Sequence, residues 1–118
     1  MAPGHDAERL KGNLDLLLLS VLSREPAHGY AVVSALREAS DGAFDLPEGT
    51  VYPALHRLER LRWLSARWER GSETAGARRR KVYALTAAGH KALAAERAGW
   101  EEFTSGMGSV LRTAWGTT

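Results

Sequence analysis

The chain has 118 residues, enough for one domain with a modest core and too few for two full ones. It has no cysteine, which excludes a disulfide framework, thiolate zinc sites and a cysteine nucleophile. The formal charge is only +2, yet residues 56–81 hold nine Arg or Lys against three Glu, so a strongly basic middle sits in an otherwise net acidic chain. That distribution is the footprint of a polyanion-binding patch rather than of general solubility.

Residues 1–12 are polar and carry Pro3, Gly4 and Gly12, which predicts a flexible arm. Asn13 is the expected cap of a dense apolar helix whose stripe is Leu14, Leu17, Leu18, Val21 and Leu22, widened by Leu16 and Leu19. Asp15 and Ser20 interrupt this run, which falls well short of the roughly 20 apolar residues of a membrane span. The N-terminus has no signal-peptide layout, and a cytoplasmic protein without a membrane partner is expected. Glu25-Pro26 ends the helix, because the residue before proline avoids the helical region. A second helix is predicted from about Ala27-His28-Gly29-Tyr30 to Ala39, with Tyr30, Val33 and Leu36 inward and Ser40-Asp41-Gly42 as its stop. Phe44 and Leu46 are expected to plug the core behind it.

Residues 46–64 predict the helix that the rest serves. Val51, Ala54, Leu55, Leu58 and Leu61 fall on one stripe of period 3.6. Thr50, Tyr52, His56, Arg57 and Arg60 occupy the other side, with Tyr52 expected to be exposed. Thr50 as N-cap would put Pro53 in the first turn, where its missing N–H costs nothing. A short helix with hydroxyls at its start and cations on its free side suits phosphates and base edges in a DNA major groove. An ordinary amphipathic helix is the competing reading of this stretch alone.

Beyond Leu64 the period changes to two: Leu64, Ala66 and Trp68 alternate with Ser65, Arg67 and Glu69, the pattern of a strand. Residues 70–77 supply a glycine-containing turn, and Val82, Tyr83 and Leu85 mark a second strand that begins in the basic run Arg78, Arg79, Arg80, Lys81. Thr86 caps a last helix running toward Trp115, although Gly99, Gly106 and Gly108 each weaken it by about 1 kcal/mol relative to alanine. Leu93, Trp100 and Met107 recur every seven residues on it, and Phe103 and Val110 fill the intermediate seam positions, so a second copy of the chain is the expected occupant of this face. The predicted fold is mainly α with a small β-hairpin. It is a winged helix-turn-helix over residues 13–85, followed by a dimerisation helix over residues 86–118.

The segments LKGNLDLLLLSVL, PAHGY, GTVYPALHRLE and RRRKVYALTAAG, in that order and spacing, resemble the PadR family of bacterial transcriptional regulators over about residues 10–95. The resemblance implies that the third helix reads the major groove, the hairpin wing touches the DNA backbone or minor groove, and the C-terminal helix forms a homodimer. Carried onto this chain, Thr50, Tyr52, His56, Arg57 and Arg60 would face DNA, with Arg78, Arg79, Arg80 and Lys81 on or beside the wing. It also implies a repressor on a palindrome-like operator in double-stranded DNA. Some such regulators hold a small planar aromatic effector between facing tryptophans, a role that falls here to Trp100, with Leu14 or Leu18 of the partner subunit beside it.

Other classes have less support. His5, His28, His56 and His90 stand alone, without a metal-ligand spacing, and no glycine-rich phosphate loop or nucleophile elbow occurs, so neither an enzyme nor a metal or cofactor is expected. His28 and Tyr30 read as structural, with His28 bonding near the helix start. A winged-helix module for protein–protein assembly without DNA binding would show an apolar or acidic third-helix face, whereas this one is basic.

Overall fold

The computed structural model describes residues 10, 12–70 and 79–115. The element order is α1 (Leu14–Arg24), β1 (Ala27–His28), α2 (Gly29–Ala39), α3 (Glu48–Arg60), β2 (Leu64–Arg70), β3 (Arg79–Leu85) and α4 (Ala87–Trp115). This is the mainly helical, winged arrangement expected, with one addition: β1 pairs with β3, so the sheet has three strands in the order β1-β3-β2, all antiparallel. Two residues after a proline carry too little pattern to be read as a strand from sequence. The hairpin turn and Arg78, like residues 1–9 and 11 of the N-terminal arm, lie outside the described residues.

The core forms where the helical stripes meet. Leu18, Leu19, Leu22, Val32, Val33, Leu36, Leu46, Val51, Leu55, Leu58, Leu64 and Tyr83 are all buried in one cluster, and each large aliphatic there contributes roughly 1.5–3 kcal/mol by leaving water. Phe44 and Leu46 close it as expected, with Phe44 half-buried. Asn13 occupies the N-cap position of α1 without a side-chain bond to the helix. Thr86 does cap: its Oγ1 accepts from the Gly89 N–H at 3.0 Å and donates to the Arg62 carbonyl at 2.7 Å, tying the start of α4 to the turn after α3.

Four sequence expectations are corrected. The N-cap of α3 is Pro47, not Thr50; the Thr50 N–H already bonds the Pro47 carbonyl at 2.9 Å. Pro53 is therefore the sixth helical residue and forfeits a bond to the Gly49 carbonyl, on the side of the helix where both residues are exposed. Leu61, one step past the end of α3, is exposed because the chain turns there through Arg62 at φ 66°. Tyr30 does not fill the core but stands 56% exposed. The last helix runs toward Trp115 as the sequence reading has it, unbroken from Ala87 despite its glycines, and at 1.5 Å per residue it is about 43 Å long.

No helix among the described residues is long and apolar enough to cross a membrane. The first turns of α4 pack on α1, and Ala92 and Leu93 join the edge of the core. Farther along, Trp100, Phe103, Met107, Val110, Leu111 and Trp115 are all exposed, Trp115 at 81%. Trp100 and Phe103 touch, with ring centroids 5.9 Å apart.

Candidate nucleic-acid interface

Helix α3 presents its apolar stripe to the core, which leaves Gly49, Pro53, His56 and Arg60 along its exposed centre line. Thr50 and Arg57 flank that line on the side of α1. Arg57 is not free: its guanidinium forms a bidentate pair with Asp15 of α1, at 3.0 and 2.5 Å, and the carboxylate bond holds its pKa above the usual arginine value. The pair is partly exposed and clamps α3 onto α1 rather than aiming a lone cation at solvent.

Tyr52 and Glu59 flank the other side, next to the sheet. Tyr52 is half-buried, not exposed as the sequence suggested, because its ring lies on the backbone of Gly29: a Cβ there would come within 2.6 Å of the ring. Burial, and then the nearby Glu48 carboxylate, push its phenol above its ordinary pKa. Glu59 pairs with Lys81 at 2.8 Å and so fastens the wing to α3. That bond raises the Lys81 pKa, and the ammonium also sits 5.4 Å from the Tyr83 ring.

The strands carry further cations outward. Register pairs Trp68 with Lys81 and Arg70 with Arg79, and Arg79 lies over the indole of Trp68 at 5.3 Å. Arg80 reaches back to His28, its Nη1 3.3 Å from the imidazole Nε2. Between α3, the sheet and the start of α2 runs a groove of about 570 Å³, lined by His28, Gly29, Tyr30, Tyr52, His56, Trp68, Arg80, Lys81 and Tyr83. A neighbouring groove of about 730 Å³ is bordered by His56, Arg60, Arg62, Ser65 and Lys81.

Of the residues singled out in the sequence, Tyr52, His56, Arg80 and Lys81 therefore meet at one groove, and Arg60 borders the next. Arg79 lies above Trp68 on the wing, whereas Thr50 and Arg57 sit on the far flank. Sequence reasoning missed Trp68, Tyr30 and His28 as members of the surface. The signal for Trp68 was present: a strand that alternates inward residues must leave the core at some point, and its last large residue is then exposed, here at 56%.

Leu18 is buried in its own domain, whereas Leu14 is only partly buried against the same core. Leu93 likewise belongs to the rim of its own core, and the exposed seam on α4 begins at Trp100.

Comparison with known proteins accords with this architecture. The model of the PadR-like transcriptional regulator family matches residues 18–95. A PadR family transcriptional regulator from Eggerthella lenta is 36% identical and superposes with a TM-score of 0.75, over 91% of this chain and 88% of that one. A PadR family transcription regulator from Clostridium difficile is 31% identical with a TM-score of 0.71, over 83% of this chain and 97% of that one. The transcriptional regulator YqjI of Escherichia coli is 32% identical over 62 residues, 52% of this chain, but the match spans only 30% of its length. These relatives are regulators of transcription rather than enzymes, and the chain belongs to the PadR-like family of transcriptional regulators.

Proposed function

We propose that the protein is a homodimeric, sequence-specific repressor that binds a palindrome-like operator in double-stranded DNA. The observation that carries this reading is the convergence of His56 and Arg60 of α3 with Arg80 and Lys81 of the wing along two adjoining grooves. In this reading α3 enters the major groove, where His56 and Arg60 meet base edges, and Arg79 and Arg80 meet phosphates, with Arg78 adding to the wing's charge. Thr50 contributes from the flank. Tyr52 and Arg57 act mainly by holding α3 in place, through Gly29 and Asp15. The third-helix face is cationic and polar, which favours a nucleic acid over the apolar protein partner of an assembly module.

Dimerisation falls to α4. Trp100, Phe103, Met107 and Val110 form a seam that one protomer leaves in water, and a partner helix of the same sequence would cover it. Leu93 lies in line with this seam at its core-proximal end. Planar aromatic effectors are assigned to the Trp100 region at the dimer centre, where binding would change the spacing of the two α3 helices by a coupling of about 1–3 kcal/mol. The DNA reading is tested by footprinting the purified protein on the region upstream of its own gene. A protected segment with two-fold symmetry supports it, and uniform or absent protection refutes it. The effector assignment is tested separately by fluorescence titration with planar phenolic compounds. Quenching that persists undiminished in Trp100→Leu, or binding that leaves DNA affinity unchanged, removes it.

A further inference from the structure

His28 faces two demands that one imidazole cannot meet. Its Nδ1 stands 3.3 Å from the Ala31 N–H and caps α2, which requires a lone pair on Nδ1. Its Nε2 stands 3.3 Å from Nη1 of Arg80, a group that has only N–H donors, which requires a lone pair on Nε2. A neutral imidazole has one such lone pair and an imidazolium has none, so at any instant at least one contact sets donor against donor. Arg80 has no carboxylate partner among the described residues, in contrast to Arg57 with Asp15, Lys81 with Glu59 and Arg67 with Glu69. The conflict is removed by an anion with several acceptor oxygens: it accepts from Arg80 and from Nε2–H together, and Nδ1 keeps its lone pair for Ala31.

We propose that His28 is a DNA-backbone contact, donating Nε2–H to the same phosphate that takes Arg80. The inference rests on the reading of this face as a DNA surface. The two side chains are placed for a shared ligand: β1–β3 register sets His28 opposite Val82, which puts it diagonal to Arg80 on one face of the sheet, and both border the groove beside α3. In the free protein the ring divides between two tautomers as Arg80 and Ala31 compete for it. On DNA it is held as the Nε2–H tautomer, and the α2 cap closes. A wing contact is thereby transmitted to the first helix of the helix-turn-helix.

The test is nitrogen NMR of the His28 ring in the full chain, at a pH where the spectrum itself shows the ring carrying a single proton. The free protein should show a substantial Nδ1–H population that disappears in Arg80→Ala, a result independent of DNA. Adding duplex from the upstream region should drive the parent to the Nε2–H form and slow exchange of the Ala31 amide. His28→Asn retains a capping oxygen without the reach of Nε2; it should keep the parent's melting temperature and bind operator and random duplex alike about tenfold more weakly, as expected for removing one charge-assisted hydrogen bond. A parent that binds DNA with His28 still in the Nδ1–H form, or His28→Asn binding as tightly as the parent, overturns the proposal while leaving the DNA reading intact. Failure of the parent to bind any duplex removes the DNA reading and this contact with it, even if the Arg80→Ala tautomer shift is seen. Inorganic phosphate is the control: a tautomer shift as large as with duplex at equal phosphate concentration would make this a site for the free anion and overturn the DNA contact.

Discussion

Gly89 of α4 lies against the main-chain carbonyl of Trp63, so close that a Cβ at Gly89 would overlap the oxygen. The neighbouring Thr86 hydroxyl bonds the Arg62 carbonyl of the same turn, so the helix assigned to dimerisation is joined to the end of the helix assigned to DNA reading by backbone contacts rather than by a flexible link. Gly89→Ala should therefore destabilise the protein by about 1–3 kcal/mol, the usual cost of overpacking, despite alanine's better helix propensity. Gly49→Ala, where nothing lies within 4 Å of the added methyl, should leave stability unchanged or raise it by up to about 1 kcal/mol. Urea denaturation of the two variants checks this; equal midpoints would mean that the α3–α4 junction yields easily.

The Arg57–Asp15 pair should show up as coupling between residues far apart in sequence. A double-mutant cycle on Asp15→Ala and Arg57→Ala is expected to give an interaction of about 1 kcal/mol or less, since both side chains keep some exposure to water. Arg57→Lys should not restore it, because an ammonium lacks the two-pronged match to the carboxylate. Zero coupling in chemical denaturation would return Arg57 to the set of free cations on α3.

Much of this architecture is legible in the sequence alone. The core stripe of α3 needs only period 3.6, and the wing needs the change to period two at Leu64, because both signals run over several turns or pairs. Features that depend on how separate segments meet are not legible. Tyr52 is half-buried only because residue 29 lacks a side chain, and Arg57 is tied down only because α1 brings Asp15 alongside. Leu93 and Trp100 occupy equivalent seam positions in sequence, yet one rests on its own core and the other stands in water, a difference set by where α1 parts from α4.

Alkaline pH should weaken the fold around the wing. Tyr52 and Tyr83 have raised pKa values, chiefly through burial, and Lys81 is raised by its bond to Glu59. A raised pKa in the folded state means that the folded protein holds the proton more tightly, so the stabilisation is fully present below the unfolded values near about 10 and is lost as pH rises through the folded ones. Thermal melts should fall in midpoint above that range, and Tyr52→Phe should lessen the fall. A midpoint that rises there, or a Tyr52→Phe variant with the parent's slope, would show that Tyr52 is not the half-buried phenol described.

Charge on the exposed seam of α4 should separate the protomers. Met107→Glu and Val110→Glu each place a carboxylate at a position exposed in one chain, so the winged domain should keep its own stability while the sedimentation coefficient falls to that of a monomer. Operator affinity should drop sharply once the second half-site is no longer held by a tethered partner. A variant with the sedimentation coefficient of a dimeric parent would move the interface off this stretch.

The central claim, that α3 and the wing form one DNA surface, is tested most directly by the salt dependence of binding in the parent and in the Arg79→Ala, Arg80→Ala double variant. Fluorescence anisotropy with upstream and random duplexes over a range of salt gives the log–log slope for each. If the wing cations neutralise phosphates, the double variant binds both duplexes more weakly by the same factor, and its slope is shallower by about one unit for each phosphate left without its arginine. Parent and variant lines that superimpose at every salt concentration would contradict the claim and place any DNA binding elsewhere on the molecule.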